Sequence, residues 1–242
     1  KLISNRSLKA SGVYGFWAAN SIGNDIVLYS DEARSTIVHR FPMLRQQQAK
    51  TDDSPYLSLS DFVAPKATGL CDYVGAFAVT AGLGTNELVK AYEADQDDYN
   101  AIMVKALSDR LAEAFAEFLH ARARKDWGIS DDSLTPEDLR SERYRGIRPA
   151  FGYPACPDHT EKGKLFEILG ATSLGMSLTE SYAMNPAASV SGMYFAHPQS
   201  RYFGVGKIDR DQVIDYASRK EMSVADVEKW LGPNLAFDPS QS

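Results

Sequence analysis

Tyr73-Val74-Gly75-Ala76-Phe77-Ala78-Val79-Thr80, followed at once by Gly82-Leu83-Gly84-Thr85-Asn86-Glu87, is the stretch whose reading decides the fold. Its first eight residues form a nearly continuous apolar run, the pattern of a central strand buried on both faces. Strand, Gly-x-Gly and the helical run 88–94 follow in the order of a dinucleotide-binding turn. The third glycine position of such a turn holds Glu87, however. A carboxylate in the first helical turn repels a pyrophosphate, whereas it suits the positive end of the helix dipole. The stretch therefore reads as a plain strand-to-helix turn, with Thr85 as N-cap.

On the N-terminal side, residues 12–19 and 25–29 are aromatic and β-branched runs parted by 20–24, the pattern of a hairpin with a longer loop, and 35–39 supplies a third strand. On the C-terminal side, 98–124 is the longest periodic segment. Ile102, Met103, Ala106, Leu107, Ala114, Phe115, Phe118 and Leu119 mark an apolar stripe at helical spacing, which assigns that face to the core. Asp109, Glu113 and Glu117 recur every four residues on another face. By itself that acidic stripe reads as a solvated face, with an acidic binding edge as the alternative. Thr135 and Pro136 open a capped helix within 134–139, and 161–169 forms a further helix. A strand at 178–183 precedes a hairpin of 189–196 and 202–208 joined through 197–201. Two short amphipathic helices, 212–219 and 224–230, follow, the second capped by Ser223. These elements define an α+β fold, a twisted and mainly antiparallel sheet with a long central helix and flanking helices, in a single domain with no convincing linker.

Bulk properties exclude several function classes. The 242 residues carry 26 basic and 32 acidic side chains, a net charge of −6, which argues against nucleic acid or an anionic membrane as the main partner. No apolar run approaches the roughly 20 residues that span a bilayer, so a soluble, cytoplasmic protein is expected. Cys71 and Cys156 are too few for a disulfide framework. Cys156, Asp158, His159 and Glu161 fall close together, but a structural zinc site needs a second ligand pair, and none is spaced for it. Neither a nucleophile elbow nor a phosphate-cradling loop occurs, so no catalytic residue and no metal ligand is assigned. The sequence points to binding.

The best candidate for binding is Arg148-Pro149-Ala150-Phe151-Gly152-Tyr153-Pro154-Ala155-Cys156-Pro157-Asp158-His159-Thr160-Glu161. Each proline fixes its own φ and pushes the preceding residue towards extended backbone, so Arg148, Tyr153 and Cys156 are expected outside helix, with backbone groups left for a ligand. Arg148 offers a planar fork of donors suited to a carboxylate or phosphate. An ordinary structural turn is the competing reading.

The same stretch resembles the signature of the S-adenosylmethionine-binding activation domain of cobalamin-dependent methionine synthases. Other stretches agree in order: 61–65, 98–107, 109–117, 178–181, 188–192, Tyr202-Phe203, 211–217 and 230–235. The resemblance runs from Gly12 onward and implies a reactivation role, in which a reductase such as flavodoxin supplies an electron to oxidised cobalamin and this domain presents the methyl of S-adenosylmethionine. It places cobalamin on a neighbouring domain, which becomes a partner, and zinc elsewhere in the full enzyme. It implies that Arg148 holds the ligand carboxylate, that backbone groups of Ala150 and Tyr153 contact it, and that Tyr202 and Phe203 line its site. Glu113 and Glu142 fall on family positions near the ligand, and Asp109 on the side facing the cobalamin domain. Two departures stand out. Phe151 replaces a further proline, which predicts a looser loop, and the family's domain has a preceding segment with a ligand-contacting aspartate, so the chain is expected to begin after it. A docking module that meets the cobalamin domain and flavodoxin without binding the small molecule is the other reading.

Overall fold

The computed structural model describes residues 8–131 and 133–241. The decisive stretch is a strand, β4 (Asp72–Leu83), buried along nearly its whole length. Four other strands join it: β1 (Lys9–Ile22), β2 (Asp25–Tyr29), β3 (Ile37–Pro42) and β7 (Ser189–Tyr194), in the order β3-β2-β1-β4-β7. The sheet is mainly antiparallel, as expected. β1 and β2 meet in register from Ala19↔Leu28 to Ile22↔Asp25, so the hairpin closes through two residues rather than a longer loop. Gly23, at φ 59, makes that tight closure available because it has no Cβ to clash in the left-handed region.

Helices α1 (Thr85–Ala94) and α2 (Asp98–Asp126) follow β4. Thr85 is not the N-cap: Gly84 takes that position at φ 91, and the Thr85 hydroxyl instead lies 2.8 Å from Ser108 Oγ on α2. Asp97 caps α2 by accepting from Asn100 N at 3.1 Å. The chain continues through α3 (Pro136–Arg140), α4 (Lys162–Leu169), the two-residue pair β5 (Ser177–Leu178) and β6 (Met184–Asn185), then α5 (Arg210–Lys220) and α6 (Val224–Trp230). Ser223 caps α6 through Asp226 N, as its sequence predicts.

Three expectations fail for physical reasons. The buried face of α2 carries Ala101, Val104, Ser108, Ala112, Ala116, Leu119, His120 and Ala123, whereas Ile102 and Phe118 are 67% and 62% exposed. Small residues mark the packed face because they allow close approach: Ala112 clusters with Ala81 and Ala188. Residues 202–208 form no strand; Val205 N donates to Pro154 O and Ile208 bridges Leu235, so their backbone groups serve the loop and the C-terminal segment. The expected strand at 178–183 ends at Leu178, because Thr179 and Tyr182 close a turn, with Tyr182 at φ 58.

The chain divides into two compact units. One comprises Lys1–Gly15, Ala76–Pro136 and Lys162–Gly192, the other Phe16–Gly75, Glu137–Glu161 and Met193–Ser242. In the first, Val89, Ala101 and Val104 pack with Leu8, Leu88 and Tyr92. In the second, Leu44, Val205, Ile208, Val213, Tyr216, Leu231 and Leu235 form a core that binds α5 and α6 to the irregular segment around 205.

Candidate functional site

Within the second unit, Arg148 sits on an extended segment laid against the end of β7. Ile147 and Phe195 exchange two backbone hydrogen bonds at 3.1 Å, and Met193 N donates to Pro149 O at 3.0 Å. Arg148 is thus held between two ladder positions, consistent with the extended backbone that Pro149 imposes. Its N–H donates to the Tyr202 hydroxyl at 3.1 Å. Its guanidinium donates through Nη1 to Tyr144 Oη at 2.5 Å and through Nη2 to Glu142 Oε1 at 2.9 Å. Three of the expected site residues, Arg148, Glu142 and Tyr202, therefore form one hydrogen-bonded group. Tyr144, which the sequence reading missed, completes it; it lies in an irregular segment where no helical periodicity links it to Arg148.

The loop after Arg148 is braced from within. Tyr153 N donates to Ala150 O, Cys156 N to Tyr153 O, Gly152 N to Cys156 O, and Cys156 Sγ to Ala150 O. The backbone groups expected to be left for a ligand at Tyr153 and Cys156 are engaged within the turn that the prolines enforce, and the Arg148 N–H is taken by the Tyr202 hydroxyl. The Tyr153 side chain is exposed. Gly152 adopts φ 94, and a Cβ there would come within 2.1 Å of the His159 ring, so the motif's glycine and histidine are packed together.

Phe151 does not loosen the loop. Its ring is 2% exposed and stacks on Phe41 with centroids 5.7 Å apart, so buried area replaces the rigidity a proline would give. Beyond the loop, Lys220 at the end of α5 donates to Asp158 Oδ2 at 2.5 Å, Thr160 Oγ1 at 2.5 Å and Glu161 Oε1 at 2.6 Å, and Tyr216 Oη donates to Asp158 at 2.9 Å. Burial alone would raise the Asp158 pKa, but the charge and hydrogen bonds of Lys220 and Thr160 outweigh it and hold the carboxyl below its ordinary value. Burial likewise works against the Lys220 ammonium, and Glu161 and Asp158 outweigh it, raising its pKa. Burial pushes the Tyr216 phenol well up, reinforced by the same two carboxylates. Of the residues that suggested a metal, Asp158 and Glu161 thus clamp the loop to α5, while Cys156 donates to Ala150 O and His159 packs against Gly152. Nothing in the sequence linked Lys220 to Asp158, because the pairing spans 62 positions.

Phe203 lies beside Phe62, edge to face at 6.2 Å, and Phe62 also meets His197 at 6.0 Å. Phe62 ends a short turn, Leu59–Phe62, fixed by a capping box between Ser58 and Asp61. Tyr202, 48% exposed, stands next in sequence to this aromatic group. Glu113 and Asp109 belong to the first unit, both exposed on α2.

A guanidinium held by Tyr144 and Glu142, the exposed Tyr202 and the Phe62–Phe203 contact beside a braced loop are features suited to a small polar ligand on an α+β domain. The description "Vitamin B12 dependent methionine synthase, activation domain" matches residues 1–221, and the chain belongs to that family, part of a methyltransferase. It is also similar to a crystal structure of the MetH reactivation domain bound to AdoHcy, with 55% identity and a TM-score of 0.94 over 98% of this chain and 74% of that one. Among the described residues no helix is long and apolar enough to cross a membrane.

Proposed function

We propose that this domain binds S-adenosylmethionine and presents its methyl group during reactivation of oxidised cobalamin in methionine synthase. The observation that carries the reading is the Arg148 fork, 83% withdrawn from solvent with its side chain 17% exposed, and beside it the Glu142 carboxylate. The ligand's amino-acid end offers a carboxylate to Arg148 and an ammonium to Glu142, while aromatic faces suit an adenine and a sulfonium. The Tyr153 side chain and the Ala150 turn rim the loop, and Tyr202 with Phe203 forms the aromatic side. By family resemblance Glu113 adds a carboxylate for the ligand's positive charge. Asp109 meets the cobalamin-binding domain.

Cobalamin on that neighbouring domain would supply a nucleophilic cobalt, with a cytoplasmic reductase such as flavodoxin as the electron source, and this chain's residues would hold the methyl donor towards it. The chain's own residues bind and orient the methyl donor, and the cofactor carries the chemistry. AdoHcy in the related structure supports ligand binding over a docking-only module. Titration calorimetry of the protein with S-adenosylmethionine and AdoHcy tests the reading: saturable one-to-one binding of both is expected, and no heat with either at millimolar concentration overturns it.

A further inference from the structure

Glu142 occupies a backbone position that works against it. It follows α3, its N–H donates to Leu139 O at 3.2 Å, and its φ of 51 lies in the left-handed region. Positions that close a helix in this way favour Gly or Asn, since a Cβ there is strained. The carboxylate it carries is used: Oε1 accepts from Arg148 Nη2 at 2.9 Å, with the two side chains 40% and 17% exposed. Arg148 is the group assigned above to the ligand's carboxylate, so one donor fork faces two acceptors, one internal and one incoming.

From this juxtaposition we infer that Glu142 determines specificity by competing for Arg148, so that the site admits an amino-acid zwitterion and rejects a plain carboxylate. A carboxylate without a neighbouring cation must either share the fork with Glu142, at the cost of like-charge repulsion, or drive Glu142 off with nothing to receive it. A zwitterion replaces both partners at once: its carboxylate takes Arg148 and its ammonium takes the released Glu142. The same side chain is therefore repulsive to one ligand class and attractive to the other. The inference rests on the ligand site proposed above.

The test uses two nucleoside thioethers that share the adenosine, AdoHcy and 5′-S-(3-carboxypropyl)-5′-thioadenosine, which keeps the carboxylate and lacks the ammonium. Each is titrated into the parent, Glu142→Gln and Glu142→Asn proteins. Glutamine keeps the side-chain volume without the charge, and asparagine suits the left-handed backbone, so both variants fold. The carboxypropyl compound tightens about fivefold in each variant, the size expected for a partly exposed ion pair, while AdoHcy does not tighten, and the preference for AdoHcy falls accordingly. Unchanged or weaker binding of the carboxypropyl compound in either variant overturns the inference, since both lack the competing charge. Failure of AdoHcy to bind the parent sinks the proposed function and this inference together. AdoHcy binding with an unaltered preference sinks this inference alone.

Discussion

Arg148 is aimed before any ligand arrives, since its backbone is pinned on both sides and its N–H is held by Tyr202. A lysine at that position keeps the charge but presents one hydrated point rather than a planar fork, and it cannot serve Tyr144 and Glu142 in the same geometry. Arg148→Lys is therefore expected to lose most of the S-adenosylmethionine affinity, and Arg148→Ala about 2–5 kcal/mol, in calorimetric titration. Decarboxylated S-adenosylmethionine is the control: it should bind parent and Arg148→Ala nearly alike, because mutation and missing group delete the same contact. Equal weakening of both ligands would reassign Arg148 to holding the loop. Phe151 gives a second case. Proline there would remove a ring that is 2% exposed and stacked on Phe41, so Phe151→Pro should destabilise rather than tighten the site. Phe151→Ala should cost about 3–5 kcal/mol of unfolding free energy in urea denaturation. A cost below about 1 kcal/mol would show that the surrounding chain collapses into the space, leaving the ring dispensable.

At the scale of elements, α2 has two apolar faces, one of alanines and one of large side chains, and the alanine face is the packed one. Ala112→Leu should destabilise by about 1–3 kcal/mol through overpacking against Ala81 and Ala188, whereas Phe118→Gln should change stability by less than about 0.5 kcal/mol. Thermal or urea unfolding of the two variants checks this, and the reverse ranking would restore the large residues to the core. The sequence signalled the helix well, since periodicity over 98–124 marked all but its last two residues, but not which face is buried: hydrophobicity weighs Phe118 above Ala116, and only the facing element decides how close the backbone must come. β4 was legible because a continuous apolar run has few other uses. Residues 202–208 were not, since alternating aromatic and β-branched residues look like a strand until Gly204 and Gly206 let the chain run irregularly beside Pro154. In the site, Arg148, Glu142 and Tyr202 were readable through family resemblance, and the fork's geometry through Pro149. Tyr144 and Lys220 act through contacts that local spacing or long-range folding creates, and neither carries a motif.

At the scale of the whole molecule, the charged cluster of Asp158, Glu161 and Lys220 ties stability to pH. All three are nearly buried, Lys220 with 4% of its side chain exposed, so removing the cation strands two carboxylates in a poorly solvated place. Lys220→Met is expected to cost about 3–5 kcal/mol at neutral pH, the penalty of breaking a buried ion pair from one side. The sign of the pH dependence follows from the two shifts. The lowered Asp158 pKa makes its contribution complete above the ordinary carboxylate value near 3.8, and that contribution disappears as pH falls through the lowered value. The raised Lys220 pKa makes its contribution complete below the ordinary 10.5, to be lost only as pH rises through the raised value. Between those limits the cluster is indifferent to pH. In the variant Asp158 keeps its burial but loses the cation that outweighs it, so it takes up a proton at higher pH than in the parent. The stability gap between parent and Lys220→Met should accordingly be largest at neutral pH and shrink as pH falls below the ordinary carboxylate value of 3.8, since the parent then loses its ion pair while the variant has none to lose. Urea unfolding of both proteins at neutral pH and at a pH of about 2 to 3 measures the gap, and a gap of constant size would mean that Lys220 acts by packing its methylenes rather than by its charge.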